Sequence, residues 1–349
     1  MSTAEPQPTP PPGPSRGPVR RFLVGLGRAR ESWTLLLIVI VVVIFHVKTL
    51  PTAPGAPTPS VFLSPDNLKA MLVSISTEAV LVVGMTVVIV AGGFDISVGS
   101  VLAVSGLATC VAFKAGAPLP VGILAGLVCG ALCGLINGLL ISRVGVSPLI
   151  ATLGMLMAAR GLVIVYVHEL GAIRSDDLPR SFLSLGQAKV HDISGFWVIF
   201  VMLAVVLIGD ILLRNLRWLR QAYYLGGNER AAALSGINVR HVRTVAFVLC
   251  GVTAAIAGVL NSARFGGATY EAGQGVELTV IAECVIGGAS LVGGQGTVLG
   301  AFLGVVLVNC IKIGLTQLGM PPDWQYVIVG VALVVFVSID IVLAKRRQG

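Results

Sequence analysis

Long apolar runs alternate along this chain with short polar breaks. A membrane-crossing helix needs about 20 mostly apolar residues. Ten segments qualify, near 33–50, 70–91, 96–114, 119–142, 148–168, 195–213, 242–263, 275–291, 296–318 and 323–343. They mix Leu, Val, Ile, Ala and Gly without the two-residue alternation of a strand, which predicts helices rather than a barrel. The eighth is the weakest, because glycines crowd its end. The pattern therefore predicts an all-α integral membrane protein of about ten transmembrane helices.

Composition agrees. The 349 residues are 55% hydrophobic and 11% charged, with mean hydropathy +0.93, against roughly 25% charged residues in soluble domains. The net charge of +8 reads as topology rather than as a nucleic-acid surface. With the N-terminus inside, the inner segments hold fifteen of the 24 Lys+Arg, leaving nine for outer loops and span interiors. They include Arg143, Arg214, Arg217, Arg220, Arg230, Arg240 and Arg243, and the basic end Lys345-Arg346-Arg347. The positive-inside bias and the even span count put both termini in the cytoplasm.

Residues 1–30 read as a Pro-rich, disordered cytoplasmic tail and 31–349 as the membrane domain. The long leader and the lack of a small-residue cleavage site make the first apolar run a retained span. Residues 50–65, with five prolines, form an outer loop. A larger one near 169–194 carries Glu169, Asp176, Asp177 and Asp192 beside Arg174, Arg180 and Lys189. It is either an ordinary solvated loop or a face for a soluble partner.

The main polar island is Leu225-Gly226-Gly227-Asn228-Glu229-Arg230-Ala231-Ala232-Ala233-Leu234-Ser235-Gly236-Ile237. Asn228 suits an N-cap, Glu229 the positive helix end, and Gly236 a left-handed terminator. A helix of about two turns is marginal alone. Held on the cytoplasmic side between spans, within 220–240, it forms a docking knob for a soluble partner.

Two glycine-rich breaks interrupt the apolar pattern: Ala91-Gly92-Gly93-Phe94-Asp95-Ile96-Ser97-Val98-Gly99-Ser100, and Gly287-Gly288-Ala289-Ser290-Leu291-Val292-Gly293-Gly294-Gln295-Gly296. Broken helices in two halves of a membrane chain point to a transport path; the alternative is a tight turn at a close helix crossing. Gly93, Asp95, Ser97, Gly288 and Gly294 are candidates for the path or its gate. Asn137 precedes Pro148, and Asn309 precedes Pro321, by nearly equal intervals, suggesting a duplication without fixed register. Both asparagines either meet substrate or join helices.

Ionisable residues inside spans are Glu78, Arg160, Asp210, Glu277, Glu283, Lys312 and Asp340. Asp210 and Asp340 lie near span ends and reach water. Arg160 and Lys312 snorkel or pair with carboxylates. The six cysteines fall within spans and read as small packing residues, without a metal set. The four histidines are scattered, no cofactor is expected, and no Gly-x-x-x-x-Gly-Lys-Ser/Thr loop occurs, so the chain should not hydrolyse ATP itself.

The segment Gly92–Ser100 resembles the Gly-Gly-Ile-Asp-Leu-Ser-Val-Gly-Ser signature of bacterial ABC-transporter permeases of the ribose/monosaccharide type. Gly227–Ile237 is similar to that family's cytoplasmic coupling segment, and Ile286–Gly296 to its late Gly-rich signature. Phe94 replaces a smaller aliphatic residue, a mild departure. The resemblance runs from about residue 33 to the C-terminus. It implies an inner-membrane permease for a pentose, hexose or similar small polyol, working as a homodimer or a pair of related chains. A separate ABC ATPase would grip the coupling helix, and a periplasmic or lipoprotein sugar-binding protein would deliver substrate. It assigns coupling to Gly227, Asn228, Glu229, Arg230, Ala231, Ala232, Leu234, Ser235 and Gly236. The competing readings are an ion-coupled secondary transporter and, within the ABC class, a branched-chain amino acid or nucleoside permease.

Overall fold

The computed structural model describes residues 30–50, 61–190 and 193–321, with isolated positions from 324 to 338. The tail 1–29, most of the outer loop at 51–60, most of the tenth predicted span and Asp340 lie outside the described residues.

Among the described residues twelve α-helices have defined bounds: α1 Arg30–Lys48, α2 Pro65–Val90, α3 Val98–Lys114, α4 Leu119–Leu139, α5 Pro148–Leu170, α6 Arg180–Gln187, α7 Phe196–Asn215, α8 Arg217–Gly227, α9 Glu229–Leu234, α10 Val239–Phe265, α11 Val276–Ile286 and α12 Val298–Gln317. A single π-turn, Leu140–Val144, extends α4, and a two-residue hairpin pairs Lys189–Val190 with Ile193–Ser194. Each of the nine predicted spans that fall on described residues is helical. Seven are long and apolar enough to cross a membrane. The third span, α3, has 17 residues, and the eighth, α11, only 11.

The glycine breaks bound both: the first lies between α2 and α3 and delays the start of α3, and the second ends α11. After α2, the Gly92 amide donates to Ile89 O and the Gly93 amide to Val88 O, with Gly92 at φ +83°. After α11, Gly288 donates to Val285 O and Ala289 to Cys284 O, with Gly288 at φ +97°. Both are glycine-terminated Schellman closures, so Gly92 corresponds to Gly288 and Gly93 to Ala289. The starts are equally local. Ser64 and Ser147 each cap a helix whose first residue is proline, accepting from Asn67 and Ile150 amides.

α2 and α10 form the centre, with α3, α4 and α12 packed around them. α4 explains how helices approach so closely. Its buried residues are Gly122, Gly126, Gly130, Gly134 and Gly138, four apart, together with Asn137. A methyl at Gly130 would stand 2.5 Å from Gly251 O, and one at Gly138 2.9 Å from Thr244 Cα. Lipid offers no hydrophobic drive between helices, so close backbone contact supplies the packing. The rest of α4 shows Val121, Leu124, Val128 and Leu132 on the outside of the bundle.

Candidate functional site

The arginine-rich end of the bundle is built by the end of α4, the end of α7, helices α8 and α9, and the start of α10. The short helix read from the island forms there. Asn228 Oδ1 accepts from the Ala231 amide at 3.0 Å, and Ser235 Oγ donates to Ala231 O at 2.9 Å. Gly236 turns left-handed at φ +82° with open space around it. Ala232 packs inward, while Leu234 is 91% exposed, an apolar side chain with nothing over it. Glu229 pairs with Arg243 at 2.8 Å, tying α9 to α10. An open groove of about 580 Å³ runs along this flank, lined by Ser142, Glu229, Arg230, Arg240 and Arg243 among others. The other flank is a groove of about 450 Å³ with Tyr223, Tyr224, Ala231 and Ile237.

Beneath α9 the three sequence signatures meet backbone to backbone. The Gly294 amide donates to Val90 O at 2.9 Å, joining the late signature to the end of α2. A methyl on Gly226 would collide with Val90 O and lie 2.5 Å from Gly294 N. One on Gly293 would lie 2.9 Å from both Gly226 Cα and Gly92 Cα, and one on Gly294 2.9 Å from Gly227 Cα. Gly92, Gly226–Gly227 and Gly293–Gly294 thus form one glycine junction, and Tyr223 Oη closes it by donating to Gly296 O at 2.8 Å. Burial raises the Tyr223 phenol above its usual value, which keeps that donor proton in place.

Deeper in the bundle, the first break lays Asp95 and Ser97 against α4. Asp95 is 1% exposed; its Oδ1 accepts from the Ser97 amide at 2.8 Å and from Ser97 Oγ at 2.5 Å. Asn137 Nδ2 donates to Ser97 Oγ at 3.0 Å, and its Oδ1 is buried with no partner among the described residues. A methyl on Gly93 would make only ordinary contacts, with Val88 and Phe247. Asn309 is elsewhere, accepting from Ser74 Oγ at 3.2 Å between α12 and α2. Near it Lys312 pairs with Glu78 at 3.1 Å, and the fully buried Glu283 faces both. The two asparagines therefore occupy different settings. Arg160 binds the carbonyls of Tyr270 and Ala272 at 2.6 and 2.7 Å, pinning the loop before α11. The cysteines are free thiols, and the described residues hold no metal-binding group of His, Cys, Asp or Glu.

Sequence reasoning missed three residues here. Gly226 and Tyr223 carry the junction, although nothing in a glycine or a tyrosine names its distant neighbour. Asp210 was read as reaching water; it is 6% exposed and salt-bridged to Arg214 at 2.7 Å. Its position four before an arginine was the available signal.

The family described as "Branched-chain amino acid transport system / permease component" matches residues 67–337. The ribose import permease protein RbsC of Bacillus subtilis (strain 168) is 36% identical over 80% of this chain and 86% of its own length. The L-arabinose transport system permease protein AraH of Escherichia coli (strain K12) is 33% identical over 88% and 91%. The galactose/methyl galactoside import permease protein MglC of the same strain is 32% identical over 90% and 95%.

Proposed function

The chain belongs to the family of branched-chain amino acid transport system permease components, and from that membership we propose that it is the membrane subunit of an ATP-driven importer for a monosaccharide or similarly small polyol. The family description names amino acids. Relatives matching over at least four fifths of both chains carry the names of ribose, arabinose and galactose permeases, which favours sugars. The observation that carries the mechanism is the exposed, capped α9 standing on the glycine junction, where three distant signatures touch.

On this reading the arginine-rich end and both termini are cytoplasmic, and ATP is hydrolysed in a separate subunit that grips α9. Leu234 inserts into that partner, Glu229 and Arg230 align the contact, and Gly236 lets the chain turn back into α10. Closure of the ATPase pushes α9, and the junction passes the motion to α2 and α12 as a rigid-body shift. The membrane subunit binds and moves; it breaks no bond. A second copy or a paralogue completes the path. Asp95, Ser97 and Asn137 form a buried polar group near the path or its gate, and the Asn137 Oδ1, without a partner among the described residues, is an acceptor suited to a sugar hydroxyl once that group opens. A soluble sugar-binding protein docks at the opposite end. There, Lys69, Lys189 and Arg264 line a groove of about 590 Å³ with Asp66 and Ser194.

The test is purification of the tagged chain in mild detergent from its host, with identification of retained chains and an ATPase assay. The expected result is a co-purifying ATP-binding subunit that is lost on Glu229→Lys or Gly236→Pro. A chain that purifies alone and takes up sugar in vesicles only with an ion gradient would replace this reading with a secondary transporter.

A further inference from the structure

Both oxygens of the Asp210 carboxylate are engaged. Oδ2 receives Arg214 Nε at 2.7 Å, and Oδ1 receives the Leu299 amide, in the first turn of α12, at 3.2 Å. Arg214 also reaches Glu31 Oε1 on α1 at 3.3 Å. That same glutamate oxygen accepts from Thr297 Oγ1 at 2.5 Å. Thr297 is the N-cap of α12, its hydroxyl oxygen accepting from the Gly300 amide at 3.0 Å. Two carboxylates thus sit at the end of α12 where free amides and the helix dipole favour negative charge. One guanidinium bridges them.

The placement matters because of the joint beside it. α7 and α8 are separated by one extended residue, Leu216, at φ −76° and ψ 118°. A push on α9 could swing α8 about that joint and be lost. Arg214 lies just before the joint, and Tyr223, which holds Gly296 O, lies after it. The contacts on both sides end on residues 296–299, at the head of α12. That helix carries Asn309 and Lys312, which meet Ser74 and Glu78 of α2 inside the bundle.

We propose that Asp210 is a positioning residue that, with Arg214 and Glu31, locks the head of α12 to the α7–α9 unit, so that motion of the docking helix is delivered to the helix pair α2–α12. This rests on the importer reading above.

The test uses the whole complex in proteoliposomes, with sugar-loaded binding protein outside and ATP available to the ATPase. Asp210→Asn keeps the shape and the acceptor for Leu299 N but gives up the ion pair with Arg214. Assembly and substrate-free ATP hydrolysis should stay close to wild type. Sugar moved per ATP should fall about tenfold, within the ~5–150-fold span of couplings between sites. Asp210→Glu should recover part of it. Glu31→Gln should lower the same ratio less. A wild-type ratio in Asp210→Asn, or an equal loss of hydrolysis and uptake, overturns the proposal. If Asp210→Asn fails to assemble, a wild-type ratio in Glu31→Gln overturns it. Wild-type complex that moves sugar without ATP overturns the importer reading instead.

Discussion

Replacing one of two adjacent glycines by alanine should damage the protein, and replacing the other should not. Gly226 faces Val90 O, Gly294 N and Gly293 C, all backbone atoms that cannot rotate away, while a methyl on Gly227 meets nothing within 4 Å. At Gly226 the added carbon must push the late signature off α2. Overpacking of this kind costs about 1–3 kcal/mol. Loss of the Gly294 N–Val90 O hydrogen bond adds about 0.5–1.5 kcal/mol. Alanine returns roughly 0.5–1 kcal/mol of backbone entropy at either site. The net is about 0.5–4 kcal/mol lost for Gly226→Ala and a small gain for Gly227→Ala. Thermal denaturation of the detergent-purified chain, followed by monodisperse peak height in size-exclusion chromatography, reads the difference. At about 2–4 °C per kcal/mol, Gly226→Ala should melt on the order of 5–10 °C below wild type. Equal midpoints for the two variants would refute the close junction.

Other positions test other parts of the account. Leu234→Asp should leave the stability of the isolated chain within about 0.5 kcal/mol of wild type, yet abolish retention of the ATP-binding subunit in a pull-down. Gly251→Ala places its methyl against Gly130 O and 2.9 Å from Gly134 N, so it should cost about 1–3 kcal/mol in the same melting assay. Gly154→Ala, with nothing near, should not. Lys312→Met removes the partner of Glu78 and leaves Glu283 beside an uncompensated charge, for a loss of about 3 kcal/mol. Adding Glu78→Gln should return most of that stability, which a double-mutant cycle measures.

The sequence carried the membrane architecture because apolar runs near span length have few other uses, and it carried α9 because its cap, dipole charge and terminating glycine all lie within nine residues. The two Gly-Gly breaks were equally visible, and the structure adds that they close α2 and α11 with the same hydrogen-bond pattern, offset by one residue type. Pairings across the chain were not legible. Nothing local says that Gly226 touches Val90 and Gly294, since a glycine's lack of a side chain is compatible with a turn, a cap or a close approach. Asp210 was misjudged for a related reason. Distance to a span end predicts access to water only until α12 covers it.

On the proposed reading, ATP binding in a partner subunit moves this chain through α9. The most direct test is uptake into sealed proteoliposomes bearing the purified complex, with sugar-loaded binding protein outside, ATP supplied to the ATPase side and no ion gradient. The expected result is nucleotide-dependent accumulation of a monosaccharide that Leu234→Asp eliminates. Uptake that ignores ATP, follows a proton or sodium gradient and survives Leu234→Asp would contradict it.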